Sequence, residues 1–173
     1  KDEEKIKRVL DDVERVLKEN EDRNRELLKR VRERLEESRD HLRRVLEDVK
    51  RVLEELKLDE KTAKELEDTI RRIADELRKI LKRTEDELRK IEKKSREKLK
   101  RAREELRKLE KKSKDVDVDE LVKRIKDLLK RLNEISRRIA EEIKELLRTH
   151  DELNERVVRK LRDLLRKARE KRR

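Results

Sequence analysis

A chain of 173 residues without one glycine or proline has few means of turning. Glycine is the usual residue where the backbone must take a positive φ, and proline is the usual breaker of helices and strands. Folds built from many short strands need such residues at their tight hairpins. Without them, what remains is a small number of long, uninterrupted helices joined by very few loops. Ordinary usage of about 7% glycine and about 5% proline makes their joint absence improbable, on the order of one in a billion. Cysteine, methionine, phenylalanine, tyrosine, tryptophan and glutamine are missing as well. A sequence filled with strong helix formers and a few aliphatics commits nearly every position to helix. No signature of a cellular activity is legible in it.

Charged residues make up 61% of the chain, a share that suggests disorder or a solvated helix unless the apolar residues are regular. They are regular. At 31% they come close to the two positions in seven, about 29%, of a coiled-coil seam. A broad globular core would need about three in seven. Disulfide and thiolate chemistry are excluded, and no redox compartment follows. No apolar run exceeds two residues, so neither a membrane span nor a signal-peptide core is present. The sequence carries no address. Such a chain made in a bacterial host is expected to be soluble and cytoplasmic.

Net charge is +12, with the basic excess concentrated at Lys93–Lys114 and Arg156–Arg173. Both stretches close a helix, where cations complement the negative end of the macrodipole. Any attraction to nucleic acid or acidic membranes would be unspecific and salt-sensitive. Stacking aromatics and reader motifs are absent, so no specific nucleic-acid partner is expected.

Apolar residues recur at helical spacing from Ile6 to Leu56, from Leu66 to Leu109 and from Leu121 to Ala168. Two interruptions separate them. Asp59 is a good N-cap after Leu58. Asp117 with Glu120 at N3 resembles a capping box, and Val116 with Leu121 has the spacing of a hydrophobic staple. The spacing predicts helices over about 2–56, 59–113 and 117–171 within a single domain, 1–173. Connections this short make neighbours antiparallel, giving an all-α, up-down-up three-helix bundle. Residues 8–19 recur as 44–55, and 126–131 as 162–167, both 36 positions on. That interval is ten turns at 3.6 residues per turn, so the stripe returns to one face of a nearly straight helix.

Polar residues interrupt the stripe at Asn20, Asn24, Ser38 and His41, at Thr62, Thr69, Thr84 and Ser95, and at Asn133, Ser136, His150 and Asn154. Counting from the loop centres places Asn20 level with Ser95 and with Asn133 to Ser136. Ser38 and His41 fall level with Ala74 to Leu77 and with Asn154, His150 lying one turn away. Ala74 is small enough to make room for an imidazole there. The expectation is two buried hydrogen-bond layers that fix register and helix pairing, as a buried Asn does in coiled coils. A metal site at His41 and His150 lacks further inward ligands. A Ser38–His41 dyad lacks an orienting group and an oxyanion hole. A buried His also invites a pH response.

With these features the chain resembles parametrically designed helical bundles with buried hydrogen-bond networks. The capped loops at Leu58-Asp59 and Val116-Asp117, the 36-residue repeats, the Leu/Ile/Val core and the polar layers around Asn20 and His41 carry that resemblance over the whole chain. It implies an artificial scaffold without enzymatic activity, cofactor or obligatory partner. An interaction module is the alternative, because the three stripes are unequal. The first and third carry 17 and 20 apolar residues and the second only 14. A groove between helices 1 and 3 could then take a partner helix or a second copy.

Overall fold

The structure, a computed structural model, describes residues 2–115 and 117–172. It is all-α, a three-helix bundle of α1 (Asp2–Glu55), α2 (Glu60–Lys112) and α3 (Val118–Arg172). Among the described residues there is no strand. The helix ends follow from local chemistry. The Asp59 carbonyl accepts the Ala63 amide at 2.9 Å and the Asp117 carbonyl accepts that of Leu121 at 3.0 Å, which makes both aspartates N-caps. The staple expected of Val116 lies outside the described residues. Acidic side chains occupy the first turns of α2 and α3, and Lys111 and Lys112 the last turn of α2, as the macrodipole favours.

The first connection turns without glycine. Lys57 takes a φ of 49°, the left-handed conformation that commonly ends a helix. Its amide reaches the Glu54 carbonyl at 3.3 Å, satisfying one of the acceptors left at the end of α1. A side chain with a Cβ adopts this conformation at a cost that glycine avoids.

Two compact units divide the contacts, and each helix contributes to both. One comprises Lys1–Val31 and Arg89–Lys144, the other Arg32–Leu88 and Glu145–Arg173. In the first, Val13 and Leu17 of α1 pack with Leu99 and Leu106 of α2 and with Leu121, Ile125, Leu128 and Leu132 of α3. In the second, Leu42, Val49 and Leu56 meet Leu66, Ile70, Ile73 and Leu77, and Val157, Leu161 and Leu164 complete the layer. Truncating one of the fully covered leucines to alanine costs about 2–5 kcal/mol.

The 36-residue interval is visible in burial. Ile125, Leu128 and Leu132 are buried, as are Leu161, Leu164 and Ala168; on α2, Leu66, Ile70 and Ile73 match Ala102, Leu106 and Leu109. Among the described residues, buried apolar side chains number eight on α1, with Leu56 just beyond its end, ten on α2 and ten on α3. The three helices thus contribute similar numbers to the core, despite their unequal stripes. The surplus on α1 and α3 is half-buried instead, in doublet partners such as Val16, Leu27, Leu129 and Leu165. No large hydrophobic is fully exposed among the described residues.

Candidate functional site

The site candidates are buried polar side chains, and each compact unit holds one group of them. In the first unit, the α1 positions one helical turn apart are Asn20 and Asn24, both buried. Ser136 of α3 donates its hydroxyl proton to Asn20 Oδ1 at 2.7 Å. Asn24 donates from Nδ2 to Ser95 Oγ of α2 at 3.3 Å. Asn20 Nδ2 is buried without a partner. Asn20, Ser95 and Ser136 were expected at one level; Ser95 instead pairs one turn further along α1, with Asn24.

In the second unit, His150 of α3 is the centre, with 2% of its surface exposed. Its Nδ1 lies 3.0 Å from Thr84 Oγ1 of α2, and Thr84 Oγ1 donates to the Ile80 carbonyl at 3.0 Å. A hydroxyl has one proton, so Thr84 accepts here and Nδ1 carries the hydrogen. Nε2 is then the acceptor. Asn154 donates to it from Nδ2 at 2.9 Å and to Ser38 Oγ of α1 at 3.1 Å, using both amide hydrogens. Ser38 Oγ stands 3.3 Å from the same ring nitrogen. Asn154 Oδ1 is buried and unpartnered. Asp151, the residue after His150, pairs with Arg34 of α1 at 2.6 Å.

This environment suits a neutral imidazole. Burial lowers the His150 pKa from the usual histidine value, Asp151 opposes the shift and Arg34 adds to it. An imidazolium would also turn an Nε2–H toward the Asn154 amide hydrogens, donor against donor. The Nε2 lone pair is engaged by Asn154 more closely than by Ser38, which leaves it poorly placed to act as a base toward that hydroxyl. The structure thus brings Ser38 to His150 and not to His41.

Two expected members are on the surface. His41 is exposed because Leu42 takes the inward position and the next residue lies 100° round the helix. Asn133 is exposed for the same reason beside Leu132, while Ser136, near the midpoint between buried Leu132 and Ile139, is half-buried. The α2 member of the second group is Thr84, not the level of Ala74, which instead lines a groove between α1 and α2. Thr62 and Thr69 are half-buried, and the Thr69 hydroxyl returns to the Glu65 carbonyl at 2.9 Å. Among the described residues, no cluster of three or more His, Cys, Asp or Glu is placed to hold a metal ion. No helix there is long and apolar enough to cross a membrane.

The displacement from the counted levels is systematic. Loop counting sets Asn24 level with Glu92, but it meets Ser95, three residues on. It sets Thr84 level with Leu146, but Thr84 meets His150, four residues on. Side chains lean toward the N-terminus of their own helix. In antiparallel helices the two leans are opposite in space, so partners lie a few positions beyond the level of their Cα atoms. Between the parallel α1 and α3 the leans coincide, and the separation from Asn20 to Ser136 equals that from Ser38 to Asn154, 116 residues.

Comparison of the chain with known protein families, with curated proteins and with solved structures gives no match.

Proposed function

We propose that this chain is a structural scaffold of designed type, whose buried polar layers specify helix register and pairing and which carries no enzymatic activity. The observation behind this reading is the agreement of hydrogen-bonded pairs with one register. Asn20–Ser136 and Ser38–Asn154 tie α1 to α3 at a common separation, while Asn24–Ser95 and Thr84–His150 tie α2 to its neighbours. A slip of one residue on any helix turns these groups into unpaired buried dipoles, each costing about 1–3 kcal/mol. Such pairs add little net stability over an apolar core, so their use is in discriminating against alternatives. The test replaces Asn20, Asn24, Ser38, Thr84, Ser95, Ser136, His150 and Asn154 together by aliphatics. The expected variant melts at the same or a higher temperature but gives more than one set of amide cross-peaks. A single set of cross-peaks from the variant would reject the reading.

An interaction module is the second reading. It is favoured by the half-buried doublet partners on α1 and α3, which give those helices wider apolar flanks than α2. The grooves of about 410 and 570 Å³ with leucine-lined floors in the second unit run between α1 and α2, where Ala63 and Ala74 leave space, and not between α1 and α3 as the unequal stripes suggest. Light scattering on the eluted chain separates the two readings. A mass near 21.4 kDa fits the self-contained scaffold, and a multiple of it makes assembly the function.

A further inference from the structure

In the first unit a pocket of about 370 Å³ opens between α1 and α2, and its lining is unlike that of the leucine-floored grooves. Two of its lining side chains are polar and deeply buried: Asn24 is 6% exposed and Ser95 3%. The Ser95 hydroxyl accepts from Asn24 Nδ2, yet its own proton has no acceptor among the described residues. The hydroxyls of Thr84 and Ser113 return theirs to backbone carbonyls at i−4 and i−3. Asn24 holds a second amide hydrogen beside it. Buried donors of this kind ordinarily have partners.

The rim is basic. Arg25, Arg96, Lys100 and Arg103 line the pocket against two carboxylates, Glu21 and Glu92. Both carboxylates are engaged by rim arginines, Glu21 by Arg103 at 2.8 Å and Glu92 by Arg96 at 2.9 Å. Arg25 has only an exposed partner at 3.8 Å, Asp22, and Lys100 has no ion-pair partner among the described residues. The lining therefore carries two positive charges in excess, on the exposed side chains of Arg25 and Lys100 beside Leu28 and Leu99.

We propose that this pocket binds a small doubly charged tetrahedral oxyanion, phosphate or sulfate. Ser95 and Asn24 supply hydrogen bonds from the floor, and Lys100 and Arg25 neutralise the charge. Charge-assisted hydrogen bonds of this type are about twice as strong as neutral ones, and the Asn24–Ser95 hydrogen bond already holds the two buried donors in place.

The test titrates the full ¹⁵N-labelled chain with inorganic phosphate at pH 8 and separately with sulfate, at constant ionic strength set by chloride. At least one anion is expected to bind saturably at one site, moving the Asn24 side-chain amide and the Ser95 backbone amide. Ser95→Ala and Lys100→Gln are each expected to weaken binding about tenfold or more. Lys50→Gln, in the other unit, should leave it unchanged. Circular dichroism checks that the variants fold, and alanine is at least as good a helix former as serine. Small shifts spread over lysines and arginines along the chain, unaltered in Ser95→Ala, would mean adventitious counterions only and would overturn the proposal.

Discussion

Thr84 Oγ1 lies 3.0 Å from His150 Nδ1, and because the threonine proton goes to the Ile80 carbonyl, the imidazole is the donor in that contact. One hydrogen bond thereby sets the tautomer of the only buried titratable ring among the described residues. It also leaves Nε2 dependent on the Asn154 amide and the Ser38 hydroxyl. The hydrogen bonds as they stand require a neutral ring.

A pH dependence follows, and its sign is fixed. The folded His150 pKa lies below the unfolded value of about 6.5. The unfolded chain therefore binds more protons between the two values, so this contribution is complete above pH 6.5. It is lost as pH falls from there through the folded pKa. Arg34, Asp151 and the neutral Thr84, Ser38 and Asn154 are the groups that face the ring. Guanidinium unfolding followed by circular dichroism should show lower stability at pH 5 than at pH 7.5. His150→Gln should abolish most of the difference, while His41→Gln, at an exposed position, should keep it.

Thr84→Val should cost about 1–3 kcal/mol, since it leaves a buried Nδ1–H with no acceptor. Adding His150→Leu to that variant should restore most of the loss, because both sides of the contact become apolar. A double variant as unstable as Thr84→Val alone would place the cost elsewhere than in the orphaned donor.

Asn20→Leu combined with Ser136→Ala should raise stability by about 1 kcal/mol or more, because Asn20 Nδ2 is buried without a partner and half of that pair's hydrogen-bonding capacity is unused. The denaturation midpoint reports it. A fall in the midpoint would mean that the amide contributes more by shape than it costs in desolvation.

Lys57→Gly should stabilise by about 0.5–1 kcal/mol, by relieving a left-handed residue at the end of α1. The gain is limited by the larger conformational freedom glycine brings to the unfolded chain. Lys50→Gly, in the body of α1, should instead cost about 1 kcal/mol. Opposite shifts in melting temperature for the two glycines would establish the contrast.

Much of the fold can be read along the chain because its determinants are local. The 3.6-residue stripe gives three helices and Asp59 and Asp117 start two of them. The 36-residue interval marks the positions that return to the core. All these depend on dihedral preference and on spacing within one helix. The polar groups are harder to place, because membership of the stripe does not fix the angle of a side chain at its edge. His41 and His150 both follow helical spacing, yet only His150 is inward. Asn133 and Ser136 divide in the same way.

The sequence by itself determined the number of helices, their ends, their antiparallel order and the residues that compete for the interior. Only the tertiary structure decided which polar residues meet. That choice depends on rotation about each helix axis and on the N-terminal lean of every side chain. The lean moves partners on antiparallel helices three or four positions beyond their counted level, while the α1–α3 pairs lie only two beyond theirs. Asn24 therefore pairs with Ser95, and His150 with Thr84.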